Sequence, residues 1–177
     1  YNNAYRTPKH RTNICLYHKM FVLGGIEPTP TDLKADLLPM SHLQGAPVTE
    51  VCLGCICQAT SGCKLGARCE GDHCGLFQIT WPYWADAGKP TINGQSPDDS
   101  DAYPNCANDP YCAARAVQGY MSKFVQDCNG DGVINCYDFM AIHKKGGYGC
   151  SGDLPFQYVN VFNQCIAAVQ ANQFQGK

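Results

Sequence analysis

Behind Thr49, the apolar positions Val51, Cys52, Cys55, Ile56 and Ala59 recur three and four apart, the spacing of one helix face. Thr49 stands where a hydroxyl caps such a helix, and Ser61-Gly62 should end it. A second stripe through Ala116, Tyr120 and Phe124 predicts a helix over about 109–127. A shorter one is expected over about 136–144, and a last one over about 155–171 carrying Phe156, Val159, Phe162, Cys165, Ile166 and Val169. Residues 63–88 read as short strands and turns. Within them Phe77-Gln78-Ile79-Thr80-Trp81 is rich in strand formers and Pro82 ends the run. Residues 89–105, with Lys-Pro, Asn-Gly and the acidic Asp98-Asp99-Ser100-Asp101, read as loop. Helices around a small antiparallel sheet make an α+β domain.

The pattern is different at the start of the chain. Residues 1–46 have mixed polarity, one cysteine and a Pro-Thr-Pro stretch, with Val22-Leu23 and Leu37-Leu38-Pro39-Met40 as apolar anchors. They are expected to form an extension, either a flexible arm or one that docks on the domain or on a protein partner; residues 47–177 form the domain. The extension carries five Lys/Arg against three Asp/Glu, and the rest eight against twelve, so +2 is set against −4. An acidic domain argues against nucleic acid, whose affinity comes largely from cationic contacts to phosphate. It also brings no electrostatic pull toward anionic bacterial surfaces. No run of about 18 apolar residues occurs, so no membrane span is expected.

Thirteen of the 177 residues are cysteine. That density is foreign to a reducing compartment. Zinc sites use paired Cys-x-x-Cys knuckles, whereas here Cys52-x-x-Cys55 stands without a second one. Disulfides, and therefore secretion, are the expectation. No basic-then-apolar leader opens the sequence, so residue 1 is expected to be a mature terminus. No Asn-x-Ser/Thr sequon occurs either.

Several strings carry a resemblance. They are Cys52-Leu53-x-Cys55-x-Cys57 through Cys63, then Cys74-Gly75-x-Phe77-Gln78-Ile79, Tyr83-Trp84-x-Asp86 and Gly88-Lys89-Pro90. Cys106-x5-Cys112, Asp127-Cys128, Cys136-x-Asp138-Phe139-x-x-Ile142-His143 and Gly146-Gly147-x-Gly149-Cys150 follow. Over about residues 47–170 the chain resembles the invertebrate-type (i-type) lysozyme or destabilase family. The resemblance implies a lysozyme-like, disulfide-rich fold with a cleft between helices and sheet. It also implies cysteines at the positions of Ala87 and Ala116, and both are alanine here. Twelve cysteines then remain for six bridges: Cys52, Cys55, Cys57, Cys63, Cys69, Cys74, Cys106, Cys112, Cys128, Cys136, Cys150 and Cys165. Their pairing is open. Cys15 is the odd one, either an intermolecular link or a buried free thiol.

Glycoside hydrolysis normally needs one carboxyl group to protonate the leaving oxygen and a second as nucleophile or base. The resemblance places the acid, a Glu, at the end of the first helix, where this chain has Thr60 in Ala59-Thr60-Ser61-Gly62. A threonine hydroxyl has no proton to give near neutrality. The second carboxylate corresponds to Asp72, three residues past Cys69, in a stretch shorter than the family's by about four residues. Glu70 is a nearby substitute, but on an alternating strand Glu70 and Asp72 would share one face; the other reading is that both are ordinary surface charges. Isopeptidase activity, also credited to family members, would call on Ser61, Lys64 and His143, with a base within reach of the serine. Trp81 and Tyr83 are candidate sugar-stacking residues for a peptidoglycan or chitin oligosaccharide, while Phe77 and Trp84 read as core.

One further motif stands apart. In Asp127-Cys-Asn129-Gly-Asp131-Gly-Val133-Ile-Asn135-Cys-Tyr-Asp138, oxygen-bearing side chains fall at positions 1, 3, 5, 9 and 12 of a calcium-type loop, with the Val133 carbonyl at 7. A structural Ca2+ is one reading; a tight Asn-Gly/Asp-Gly turn without metal is the other. No organic cofactor is expected. Together these features point to a secreted i-type lysozyme homologue with lost or much reduced muramidase activity and a glycan-binding or structural role. The alternatives are an active lysozyme using a non-standard carboxylate pair, and an extracellular assembly protein linked through Cys15.

Overall fold

The computed structural model describes residues 48–174. The 1–46 extension, with Cys15, lies outside the described residues. Helix α1 (Glu50–Ser61) is capped by Thr49, whose hydroxyl accepts the Cys52 N–H, and stops at Gly62 in the left-handed region. Val51 through Cys57 are buried without a break, so α1 is a central helix and not an amphipathic surface one. Around it lie β1 (His73–Cys74), β2 (Ile79–Thr80), α2 (Trp81–Asp86), α3 (Ala102–Asn108), α4 (Pro110–Phe124), α5 (Cys136–Lys145) and α6 (Phe156–Phe174). α1 packs along α6 and α5, while α4 packs on α2, α3 and α5. β1 and β2 pair antiparallel, Cys74 opposite Ile79.

Two expectations are corrected. The strand-rich run 77–81 yields a two-residue strand only. Thr80 turns the chain into α2 by accepting the Tyr83 N–H, with Pro82 in the first turn, where a missing N–H costs nothing. The 89–105 stretch is not all loop: α3 begins at Ala102. Its Ala102, Cys106 and Ala107 are fully buried, so packing holds a helix that shows no stripe. Gly75, at φ 73°, is required here, because a Cβ on it would lie 1.7 Å from the Ala107 carbonyl oxygen.

All twelve domain cysteines are paired: Cys52–Cys136, Cys55–Cys165, Cys57–Cys63, Cys69–Cys74, Cys106–Cys112 and Cys128–Cys150. Two of these bridges tie α1 to α5 and to α6. At the two alanine positions, Ala116 is fully buried in α4 and the Ala87 carbonyl approaches Gly119 one turn further on. Small side chains close the gap between α2 and α4. Among the described residues no helix is long and apolar enough to cross a membrane.

Candidate functional site

Thr60 sits in the last turn of α1, half-buried, its hydroxyl donating 2.8 Å to the Ile56 carbonyl. This back-bonding is the common alternative for a helical threonine, and it leaves no acid at this position. The buried Tyr158 of α6 faces Thr60 and donates its own hydroxyl to the Met140 carbonyl. Burial holds that phenol well above its usual range.

Asp72 sits at an exposed turn. Residues 70–73 form a tight hairpin in which Glu70 and His73 exchange backbone hydrogen bonds of 2.8 and 3.4 Å. Gly71-Asp72 is the corner, and Cys69–Cys74 closes it. Glu70 and Asp72 therefore do not alternate along one strand face. The Asp72 side chain is 90% exposed and lies 3.0 Å from His73 Nδ1. That hydrogen bond lowers its pKa and holds it ionised. Glu70 is exposed as well.

The aromatic cluster divides by environment. Phe77 and Trp84 are core, and the Trp84 indole donates to the Pro90 carbonyl at 2.8 Å. Trp81 is 52% exposed at the start of α2, with the Lys89 ammonium 5.9 Å from its ring. Tyr83 is half-buried and stacks on Tyr120 at 3.7 Å, so one of its faces is covered. Its hydroxyl lies 3.0 Å from His143 Nδ1, and His143 Nε2 lies 3.0 Å from the Phe77 carbonyl oxygen. A carbonyl can only accept, so the Nε2–H donates to Phe77 and the bare Nδ1 accepts from Tyr83. Ser61 donates to the Leu76 carbonyl at 2.6 Å. The candidate isopeptidase serine and histidine thus both bond to groups outside the trio, and Lys64 is an exposed side chain.

In the 127–138 loop the side-chain oxygens meet backbone N–H groups. Asp127 accepts from Gly130 and Gly132, Asn129 from Asp131, and Asp131 from Val133. Asn135 caps α5 by accepting from Tyr137. Asp138, fully buried, completes a capping box by accepting the Asn135 N–H at 2.8 Å, and its other oxygen takes the Cys128 N–H at 2.9 Å. Burial raises its pKa against those two donors. Among the described residues no three His, Cys, Asp or Glu side chains converge as a metal site. Asp138→Ala would leave two donors without an acceptor, and a loss of about 2–4 kcal/mol is expected in chemical denaturation. Asp138→Asn, which keeps one acceptor, should lose less.

A groove of about 360 Å3 lies beside this loop, lined by Tyr137, Met140, Ala141 and Leu154 among others. Thr60, Asp72 and Trp81 are not part of its lining.

The Destabilase family model matches residues 49–165, well over half of the chain. The protein belongs to the destabilase family. It is 34% identical over 117 residues to invertebrate-type lysozyme 3 of Caenorhabditis elegans, an alignment covering 64% of this chain and 84% of the relative. It is 32% identical over 120 residues to a lysozyme of Meretrix lusoria, covering 66% and 88%. The crystal structure of Aeromonas hydrophila PliI in complex with Meretrix lusoria lysozyme matches with a TM-score of 0.52 and 32% identity, covering 66% of this chain and 89% of that one. The lysozyme-like fold expected for this destabilase-family chain is thus the observed one.

Proposed function

We propose that this protein is a secreted destabilase-family member that has lost muramidase activity and binds a glycan through its exposed aromatic face. The observation that carries the first part is Thr60: at the position matched to the family's acid stands a hydroxyl bonded to its own helix. The partner position supports it, since Asp72 is a solvated corner residue paired with His73. Six disulfides support an oxidising, extracellular setting. Trp81 supports the glycan, because an exposed indole offers an apolar face on which a sugar ring stacks.

The test pairs hydrolysis of bacterial cell walls, argued in the Discussion, with retention on insoluble peptidoglycan and on chitin. Trp81→Ala is expected to reduce retention roughly tenfold, as loss of one stacked ring of about 1–2 kcal/mol would do. Unchanged retention would remove Trp81 from the surface.

For the 127–138 loop we propose a self-capped turn in place of a calcium ion, on the support of its backbone hydrogen bonds. Millimolar Ca2+ is then expected to leave the melting temperature within about one degree of its value in chelator. A rise of several degrees, which mass action gives to a bound ion, would assign the site to calcium. For Cys15, a monomeric band on non-reducing gels would exclude an intermolecular link.

A further inference from the structure

We propose that Asn93 is a self-modification site. In the folded protein its side chain condenses with the Gly94 backbone nitrogen and is converted to aspartyl and isoaspartyl residues, while Asn129, before Gly130, is protected.

The chain has two Asn-Gly steps, 93–94 and 129–130. Glycine puts the least bulk beside a backbone nitrogen that closes on the preceding side chain, so the sequence makes the two steps equal candidates. Space does not separate them either, since a Cβ on Gly94 or on Gly130 would meet nothing within 4 Å. Their hydrogen bonds do.

Asn93 and Gly94 are the exposed central pair of a turn closed by the Gln95 N–H on the Ile92 carbonyl at 2.9 Å. Both have positive φ, 48° and 70°, as in a type I′ turn. Among the described residues no hydrogen bond reaches the Asn93 side chain or the Gly94 N–H. The chain on either side is fixed. The Pro90 carbonyl accepts the Trp84 indole N–H and the Thr91 carbonyl accepts from Arg115, each at 2.8 Å. Beyond the turn, the Gln95 side chain donates to Asp101 at 2.7 Å and accepts from Asn105 at 3.3 Å. The tip alone is untethered, and it opens at the cost of its one turn bond.

Asn129 is held at every group the reaction uses. Its amide donates to Asp131 Oδ2 at 3.0 Å, its oxygen accepts the Asp131 N–H at 2.9 Å, and the Gly130 N–H donates to Asp127 Oδ1 at 2.7 Å. Backbone donors, Gly132 first, lower the Asp127 pKa and keep this carboxylate charged. It opposes the reaction twice. It occupies the Gly130 nitrogen, and its negative charge disfavours the anion that this nitrogen must become.

The reaction balances without an oxidant or reductant. Hydroxide removes the Gly94 amide proton, and the nitrogen anion adds to Asn93 Cγ, forming a C–N bond. The side-chain nitrogen takes a proton from water and leaves as ammonia, which closes a five-membered imide. Water then opens the ring at either carbonyl. One opening gives aspartate; the other gives isoaspartate, with the main chain running through the former side chain. One water is consumed and one ammonia released, and a neutral amide on the tip becomes a carboxylate. Three bonds must open at Asn129 against one at the 92–95 turn. A net hydrogen bond is worth about fivefold, so Asn93 is expected to convert at least about 20-fold faster.

The experiment holds the full chain, its bridges closed, in mildly alkaline buffer. Samples are digested in mild acid, where the reaction stalls, and the two peptides are followed by mass spectrometry for the amide-to-acid gain. Isoaspartate is scored by its enzymatic methylation. Conversion is expected at Asn93, with Asn129 at least about 20-fold slower. Comparable rates, or faster conversion at Asn129, would overturn the proposal. In concentrated urea, with the bridges still closed, the two rates are expected to converge to within about threefold. An undiminished preference in urea would assign it to the sequence and overturn protection by the fold. Asp127→Ala removes the Gly130 acceptor and should speed Asn129 roughly fivefold with Asn93 unchanged; an unchanged Asn129 would overturn its assigned protection. If Asp127→Ala does not fold, the urea comparison decides. Conversion of Asn93 should leave the melting temperature within about two degrees, and a larger loss would overturn its placement on an untethered tip.

Discussion

Suspended bacterial cell walls are expected to remain intact with the wild-type protein across about pH 4–8, and with Thr60→Glu as well. General acid catalysis is worth roughly 10²–10⁴-fold, and a hydroxyl bonded to the Ile56 carbonyl supplies none of it. Restoring a carboxyl at residue 60 returns one of the two groups that glycoside hydrolysis uses. The other remains at a solvated hairpin corner, 90% exposed and paired with His73, without the shielding that strengthens electrostatics at a reacting bond. Rates within about threefold of each other for the two proteins would fit this reading. An active Thr60→Glu beside an inactive wild type would narrow the loss to the proton donor. Wild-type lysis abolished by Asp72→Asn would overturn the reading and place an acid elsewhere.

The largest stability effect is expected from the bridge between α1 and α6. Replacing Cys55 and Cys165 with alanine while Cys52–Cys136 stays closed opens a loop of about 32 residues, counted through that bridge, for which chain entropy gives about 4 kcal/mol. The Cys57–Cys63 bridge spans 6 residues and by the same reasoning contributes about 2 kcal/mol. Both pairs join buried or half-buried sulfurs anchored on α1, so cavity effects in the two double-alanine variants are comparable. Guanidinium unfolding of each variant, with the other bridges intact, measures the difference. Equal losses would show that loop length does not govern the effect. α6 has a second reason to depend on its bridge: Tyr158 and Phe162 are buried, but Cys165, Ile166 and Val169 further on are only half-buried.

The chain itself determined the elements whose signals are local and repeated. α1, α4, α5 and α6 follow from apolar spacing over several turns, and the ends of α1 from Thr49 and Gly62. The family was legible for the same reason, because the cysteine spacings and the motifs between them are contiguous strings. α2 had a local signal too, Thr80 followed by Pro82 as cap and first turn, which the strand-forming residues before it concealed. α3 had none, and contacts from outside it decide its conformation.

Tertiary structure alone decided which cysteine meets which, since bridges such as Cys55–Cys165 join segments whose approach is a property of the packed core. It also decided that Asp72 is a turn corner, that Asp138 is an internal cap and that His143 bridges Phe77 and Tyr83. The physical reason is the same in each case. A residue's type states which hydrogen bonds and charges it can offer, but the partners of Asp138 at Cys128, and of His143 at Phe77 and Tyr83, lie 10, 66 and 60 residues away. Only the fold brings those groups within 3 Å of each other.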